Sequence, residues 1–135
     1  MSELAEIEVL EAESGDNPVG TVIWMHGLGA DASDFEPIVP ILELEQSLRF
    51  VFPNAPVRPI TINGGAEMRG WYDIDPGAPL KGTEDIDASA AAIAQLIDRE
   101  VQNGVAENKI TLAGFSQGGV IALQLGLSHR QKLCG

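Results

Sequence analysis

The sequence predicts an α/β protein with a mostly parallel sheet and helices on both faces. The continuous apolar run at residues 21–25 is typical of a strand that is covered on both sides. Between residues 109 and 127, a second apolar segment passes through a glycine-rich turn into a helical stretch. Strands that alternate with helices along a chain indicate parallel pairing with crossover connections.

Length and charge limit the class of protein. The chain has 135 residues, which corresponds to one domain over residues 1–135. Its 20 acidic and 8 basic residues give a formal net charge of −12, which disfavours nucleic acid and anionic membranes as partners. Cys134 is the only cysteine, so a disulfide framework and a thiolate metal cluster are excluded.

The sequence predicts a soluble, cytoplasmic protein. Residues 1–15 are acidic and do not have the basic and apolar regions of a signal peptide. No apolar run in the sequence approaches the ~20 residues that cross a bilayer.

Two strands are predicted before residue 30. Residues 4–10 alternate apolar and acidic side chains, a pattern typical of a half-exposed strand at a sheet edge. The run at 21–25 predicts a central strand, and it leads into His26-Gly27-Leu28-Gly29. The glycines of this loop allow the backbone to approach a ligand closely.

A helix is predicted over residues 31–46. Ser33 or Asp34 is the expected N-terminal cap. Pro37 and Pro40 fall near the start of the helix, where proline is best tolerated.

A short buried strand at 49–52 precedes a long connection. From residue 53 to about 80 the sequence is rich in glycine and proline, and a loop of this length in a compact domain usually forms a wall or lid of a site. Thr83 is the predicted cap of the next helix, which ends at Asn103-Gly104. The apolar face of that helix comprises Ile86, Ala90, Ile93, Ile97 and Val101.

The segment 109–127 predicts a strand, a sharp turn and a helix, with Ser116 at the tip. The pentapeptide Gly114-Phe115-Ser116-Gln117-Gly118 reverses a buried strand into a helix, which forces the serine into a strained conformation and leaves its hydroxyl accessible. A side chain at position 114 or 118 would collide with the neighbouring strand or helix. The helix is apolar nearly all round, so we expect it to be buried. This context favours a nucleophilic serine over a chance match to the pattern.

Two backbone N–H groups are candidates for stabilising an oxyanion beside Ser116. The N–H of Gln117 lies at a helix N-terminus, where free donors and the helix dipole favour negative charge. The N–H of Leu28 comes from the glycine loop. For that loop alone, an ordinary turn with a packed histidine is the alternative. We expect His26 to order the loop by hydrogen bonding rather than to act as a base.

Large apolar side chains in the long connection are candidates for substrate binding. Met68 and Trp71 lie among polar residues in the segment 64–74, and we expect them to line an acyl pocket. The alternative is that both side chains only pack the connection onto the sheet.

Three motifs resemble the phospholipase/carboxylesterase family of α/β-hydrolases, which contains the acyl-protein thioesterases. HGLG at 26–29 is similar to the family's oxyanion loop, NGGAEMRGWYDI at 63–74 to its substrate-side loop, and GFSQGG at 114–119 to its nucleophile turn. The resemblance covers essentially the whole chain and implies the α/β-hydrolase fold. It also implies that Ser116 is the nucleophile and that the N–H groups of Leu28 and Gln117 form the oxyanion hole.

The activity that this resemblance implies is hydrolysis of carboxylic esters and thioesters. Substrates in the family include short acyl esters, lysophospholipids and, in some members, S-acylated proteins. Neither a metal nor an organic cofactor is implied.

The sequence departs from the family after Ser116. Such enzymes carry an aspartate and then a histidine beyond the serine, but only 19 residues follow Ser116 and none is an aspartate. His129 lies thirteen residues along a predicted helix, on the order of 20 Å away, so it is not the base. We therefore expect an N-terminal portion of a hydrolase whose C-terminal strands, with the acid and the base, are missing. Truncation of the coding sequence and completion by a second chain are the two explanations.

Two functions stay open from the sequence. The first is a serine hydrolase that acts on an acyl ester or thioester only if it is completed, and a complementing C-terminal chain or a homo-oligomer is the expected macromolecular partner. The second is a non-catalytic protein of the same family that binds acyl groups or partners. A phosphate- or dinucleotide-binding module is a weaker third hypothesis, because only Gly27-x-Gly29 of the required G-x-G-x-x-G is present.

Overall fold

The computed structural model describes residues 7–135 as six strands, two α-helices and several short 3-10 helices. In chain order the strands and α-helices are β1 (Val9–Glu13), β2 (Thr21–Met25), β3 (Arg49–Pro53), β4 (Val57–Ile60), β5 (Ala66–Arg69), α1 (Gly82–Gln102), β6 (Ile110–Gly114) and α2 (Gln117–Ser128). The 3-10 helices are Ala32–Asp34, Glu36–Leu42, Thr61–Asn63 and Glu107–Lys109.

The central sheet has the strand order β1-β3-β2-β6. Strand β2 is parallel to both β3 and β6, whereas β1 pairs with β3 in the antiparallel sense. The mostly parallel sheet is therefore confirmed, with one antiparallel strand at its edge. That edge strand begins at Val9 rather than residue 4. Residues 4–6 of the prediction lie outside the described part of the chain.

Hydrophobic clusters cover both faces of the sheet. On one face, side chains of β2, β3 and β6 pack against α1 and α2, and the cluster includes Ile23, Val51, Ile93, Ile97, Ile110 and Ile121. On the other face, Phe50 and Phe52 of β3 pack with Trp24 beneath the 3-10 segments. The alternation of residues between these two clusters follows the two-residue period of a strand.

The predicted helix over residues 31–46 is wrong. Two 3-10 helices occupy this stretch, and the segment ends at Glu43 in the left-handed region with φ 47°. Prolines 37 and 40 remove two backbone donors from a short segment, which prevents a continuous α-helical ladder. The cap is Asp31 rather than Ser33 or Asp34, because the Asp31 carboxylate accepts the Ser33 N–H.

The long connection after β3 carries more structure than expected. Strands β4 and β5 form an antiparallel hairpin that is separate from the central sheet. Gly64 and Gly65 turn the hairpin, both with positive φ. The structureless loop to residue 80 is therefore replaced by a hairpin and a shorter irregular segment.

Helix α1 starts one residue before the predicted cap. Lys81 occupies the cap position without a side-chain hydrogen bond, so the role predicted for Thr83 is wrong. The helix ends at Asn103 and Gly104, as predicted, and Gly104 has φ 99°. Its buried face includes Ile93 and Ile97, whereas Val101 is 37% exposed.

Helix α2 is buried on one face only, which corrects the prediction of burial all round. Ile121 and Leu125 are buried against α1 and the sheet. Leu123 and Leu127 are 66% and 87% exposed. Within residues 7–135, the main elements that pack against α2 are α1, β6 and β2, and they cover one side of the helix.

Residues 134 and 135 pair with β6 on the side opposite β2. The N–H of Cys134 donates to Ile110 O at 2.8 Å, and the N–H of Leu112 donates to Gly135 O at 2.9 Å. No helix between residues 7 and 135 has both the length and the apolar character that crossing a bilayer requires.

Candidate active site

Ser116 lies in a strained turn between β6 and α2. Strand β6 ends at Gly114, helix α2 begins at Gln117, and Ser116 has φ 54° and ψ −114°. Positive φ is rare for a residue with a side chain and costs on the order of 1–3 kcal/mol. The side chain is exposed. The strain and the accessible hydroxyl match the sequence prediction.

The glycines on either side of Ser116 are required by close backbone contacts. A Cβ at Gly118 would meet the carbonyl oxygens of Met25 and His26 inside van der Waals distance. A Cβ at Gly114 would meet the backbone of Gly118 in the same way. The predicted collision with a neighbouring strand or helix is therefore confirmed at both positions. These contacts press the turn against the end of β2.

The loop of residues 26–29, called the oxyanion loop after its predicted role, leaves β2 next to this turn. Met25 and Gly114 are register partners, and the N–H of Phe115 donates to Met25 O at 3.1 Å. The loop is fixed from its other side, because the N–H of Gly29 donates to Arg69 O at 2.8 Å. Among residues 7–135, the N–H groups of Leu28 and Gln117 have no acceptor. Two free donors thus lie beside Ser116.

Gln117 also acts through its side chain. Its Oε1 accepts the backbone N–H of Trp71 at 2.8 Å, and its Nε2 donates to Tyr72 O at 2.8 Å. The residue is 3% exposed; its bond to Trp71 is buried and its bond to Tyr72 is partly buried. The side chain therefore fastens the substrate-side loop to the N-terminus of α2. Sequence reasoning missed this role, and the only signal available was a polar residue at the start of an apolar helix.

His26 is a structural residue. Its Nδ1 lies 2.7 Å from Gly27 O, and its Nε2 accepts the N–H of Ala55 at 3.0 Å. These partners define a neutral ring with the proton on Nδ1. Burial lowers the pKa of His26, since the charged ring would lose its hydration. Because both nitrogens are occupied, His26 orders the loop, as the sequence predicted.

His129 lies at the other end of the sheet from Ser116. Its Nε2 is 2.7 Å from Oε2 of Glu107, a residue that precedes β6, whereas Ser116 follows β6. A five-residue strand spans roughly 17 Å at 3.3 Å per residue, far beyond proton-transfer reach. His26 and His129 are the two histidines of the chain.

A cleft of about 460 Å³ lies beside Ser116. Leu28 and Ser116 both line it, together with Gly27, Ala30, Asp34, Phe35 and Phe115. The rings of Phe35 and Phe115 meet edge-on, with centroids 6.2 Å apart. Sequence reasoning missed both phenylalanines because it sought the apolar wall only in residues 64–74. The position of Phe115 directly before the serine was the available signal.

Met68 and Trp71 occupy different places. The Met68 sulfur would lie 3.6 Å from a Cβ built on Gly29, so Met68 packs against the oxyanion loop. Trp71 is fully buried and does not line the cleft. Its Nε1 donates to His26 O at 2.9 Å, and its carbonyl accepts the Ser89 hydroxyl. The ring therefore supports the loop from behind, and a contact of either side chain with substrate stays a prediction.

Asp73 organises the substrate-side loop and was not singled out by sequence. Its carboxylate accepts the N–H of Thr61 at 2.8 Å and the hydroxyl of Thr61 at 2.6 Å. The Thr61 hydroxyl bond is the main reason that the pKa of Asp73 is lowered. Within residues 7–135, no three His, Cys, Asp or Glu side chains converge as metal ligands would.

Several known proteins are similar to this chain in sequence. A sequence profile of the phospholipase/carboxylesterase family matches residues 6–135. Acyl-protein thioesterase 1 of Schizosaccharomyces pombe is 36% identical over 117 residues, covering 85% of this chain and 52% of the relative. Acyl-protein thioesterase 1 of Neurospora crassa is 37% identical over 145 residues, covering 100% of this chain and 59% of the relative.

Solved structures of related proteins have a similar fold. The crystal structure of Arabidopsis thaliana SOBER1 matches with a TM-score of 0.78 at 29% identity, covering 86% of this chain and 58% of that one. Zea mays acyl-protein thioesterase 2 matches with a TM-score of 0.70 at 29% identity, covering 88% of this chain and 50% of that one. The chain spans a little over half the length of the two curated relatives, 52% and 59%. It belongs to the phospholipase/carboxylesterase family of α/β-hydrolases.

Proposed function

We propose that this chain carries the nucleophile and the oxyanion hole of a serine hydrolase that cleaves carboxylic esters and thioesters. The observation that carries the proposal is the backbone of Ser116, which has φ 54° at the junction of β6 and α2. Such a strained strand-to-helix turn is the geometry that presents a nucleophilic hydroxyl. Family membership adds support, since named relatives are acyl-protein thioesterases.

The reaction begins with attack of the Ser116 Oγ on the substrate carbonyl carbon. The carbonyl oxygen then becomes an oxyanion, and the N–H groups of Leu28 and Gln117 donate to it. Collapse of this tetrahedral species breaks the bond to the alkoxide or thiolate leaving group and leaves an acyl-serine. Water attacks the acyl-serine in the second half and releases the carboxylic acid.

The base that accepts the proton of Ser116 has to be a residue other than the two histidines described above. An unassisted serine hydroxyl is a weak nucleophile, and its proton needs an acceptor within about 3 Å. His26 has both ring nitrogens occupied, and His129 pairs with Glu107 at the far end of β6. We therefore propose that the acid and the base come from a C-terminal segment or a complementing chain.

The cleft defines the expected surroundings of the substrate. Phe35 and Phe115 offer an apolar wall for an acyl chain. Met68, which packs against Gly29, is the proposed acyl contact from the substrate-side loop. No cofactor takes part in this mechanism. A cytoplasmic location stays a prediction from the sequence.

The test is hydrolysis by the chain alone and by a completed chain. The completed chain carries, after residue 135, the C-terminal part of the Schizosaccharomyces pombe relative that follows the matched region. We expect the isolated chain to hydrolyse p-nitrophenyl acetate and an acyl thioester at least about 10³-fold more slowly than the completed chain. Binding of substrate without turnover in the completed chain would instead support the non-catalytic acyl-binding alternative.

A further inference from the structure

A second cavity lies behind the oxyanion loop and shares no lining residue with the cleft at Ser116. It has a volume of about 440 Å³, which falls in the range of pockets that hold small molecules. The cavity lies between the N-terminal residues of the described chain, the connection after β3, and helix α1.

The walls of this back cavity are mainly apolar. Its apolar lining residues are Ile7, Ala55, Pro56, Trp71, Ala88 and Ala92. Ala88 and Ala92 are four residues apart on α1 and so lie on the same face of the helix. Alanine at both positions leaves space that larger apolar residues would fill.

One guanidinium group stands at this cavity. Nη1 of Arg69 donates to Ala55 O at 2.7 Å, and Nη2 lies 3.7 Å from Oε2 of Glu8. The Glu8 side chain is 79% exposed, so this ion pair is long and accessible to water. A guanidinium has five N–H donors, and these two contacts leave several of them without a partner among residues 7–135. The lining hydroxyl of Ser89 is already used by Trp71 O.

We propose that the back cavity binds a small amphiphile that carries a carboxylate. The carboxylate pairs with Arg69, which favours planar two-oxygen groups over other anions of similar size. The alkyl tail lies against Ala88 and Ala92, next to the buried Trp71. This site does not depend on any reaction at Ser116.

The residues around the back cavity also hold the oxyanion loop. The carbonyl of Arg69 accepts the Gly29 N–H, and Nε1 of Trp71 donates to His26 O. The N–H of Ala55 donates to Nε2 of His26. Three residues that fix the loop therefore also line this cavity.

The test uses octanoate as the probe and Trp71 as the reporter. The chain has two tryptophans, so a Trp24→Phe variant leaves Trp71 as the only one. We expect saturable binding of one octanoate per chain, seen as a change in Trp71 emission and confirmed by calorimetry. Hexanoate should bind roughly fifteenfold more weakly, since it has two fewer methylenes and each buried methylene contributes about fourfold in affinity. Octylamine, with the same tail and the opposite charge, should not bind.

Four variants identify the site. Arg69→Gln should weaken octanoate binding at least about tenfold, and Arg69→Lys should weaken it less. Glu8→Gln should tighten binding, because it removes the competing carboxylate. Ala92→Leu should abolish binding by filling the cavity.

Two matched controls should bind octanoate as the parent does. Ala91→Leu places the same extra volume on an exposed position of the same helix, and Arg130→Gln removes one exposed positive charge that does not line the cavity. Near-ultraviolet circular dichroism shows that each variant is folded. Equal binding of octanoate and octylamine, full binding by Ala92→Leu, or no saturable binding by the folded parent would each overturn the proposal.

Discussion

The side chain of Gln117 holds the backbone of Trp71, with Oε1 accepting the Trp71 N–H at 2.8 Å. The same residue offers its own backbone N–H beside Ser116. Gln117 thus joins the turn at Ser116 to the segment that contains Trp71. That segment in turn supports the oxyanion loop. Because both groups of this bond are buried, its loss would leave a donor unpaired away from water.

Replacing Gln117 should therefore destabilise the fold. In Gln117→Ala, the N–H of Trp71 and the carbonyl of Tyr72 both lose a partner, and we expect the free energy of unfolding to fall by about 1–3 kcal/mol. Urea denaturation measures the change. The control is Gln124→Ala, an exposed glutamine on the same helix, which should change the unfolding free energy by less than about 0.5 kcal/mol. Equal effects of the two substitutions would contradict the role given to the buried amide.

Two glycines of α2 should respond oppositely to alanine. Gly118→Ala places a Cβ against the carbonyl oxygens of Met25 and His26, so we expect a loss of about 1–3 kcal/mol or failure to fold. A Cβ at Gly126 meets nothing within 4 Å, and Gly126→Ala should stabilise the helix by about 0.5–1 kcal/mol. Thermal unfolding followed by circular dichroism compares them. A stable Gly118→Ala protein would show that the turn is not pressed against β2.

His26 should make stability depend on pH in the acidic direction. Burial lowers the pKa of His26 in the folded state, so below its ordinary value of about 6.5 the unfolded chain binds a proton more readily than the folded chain. The stabilisation is complete above that value and falls as the pH drops from about 6.5 toward the lowered pKa. The difference in unfolding free energy between the parent and His26→Asn isolates this effect, because the carboxylates are common to both. We expect that difference to shrink between pH 7 and pH 5, and a constant or growing difference would be inconsistent with a buried neutral ring.

The parts of the fold that the sequence predicted are those set by local pattern. An uninterrupted apolar run predicts β2, and a glycine pattern around one serine predicts the turn between β6 and α2. In both cases the backbone geometry follows from steric limits within a few residues. The strained φ of Ser116 and the clash between Gly114 and the backbone of Gly118 involve residues that are close together in sequence.

One error has a local cause, and the others arose where tertiary context decides the outcome. Residues 31–46 have a helical pattern, but Pro37 and Pro40 limit them to 3-10 turns. The apolar positions of α2 predicted burial, yet Leu123 and Leu127 face solvent because the described elements cover only one side. Phe35 joins the cleft across more than 80 residues of sequence from Ser116, a distance over which periodicity carries no information.

The most direct measurement is the site of covalent labelling by a fluorophosphonate in the completed chain. Attack by Ser116 on the phosphorus atom displaces fluoride and leaves a stable adduct, so peptide mapping by mass spectrometry identifies the nucleophile. We expect one label, on the peptide that contains Ser116, and no label in Ser116→Ala. Leu28→Ala should still be labelled, because its proposed donor is a backbone N–H. A label on another residue, or persistent labelling in folded Ser116→Ala, would contradict the assignment of Ser116 as the nucleophile.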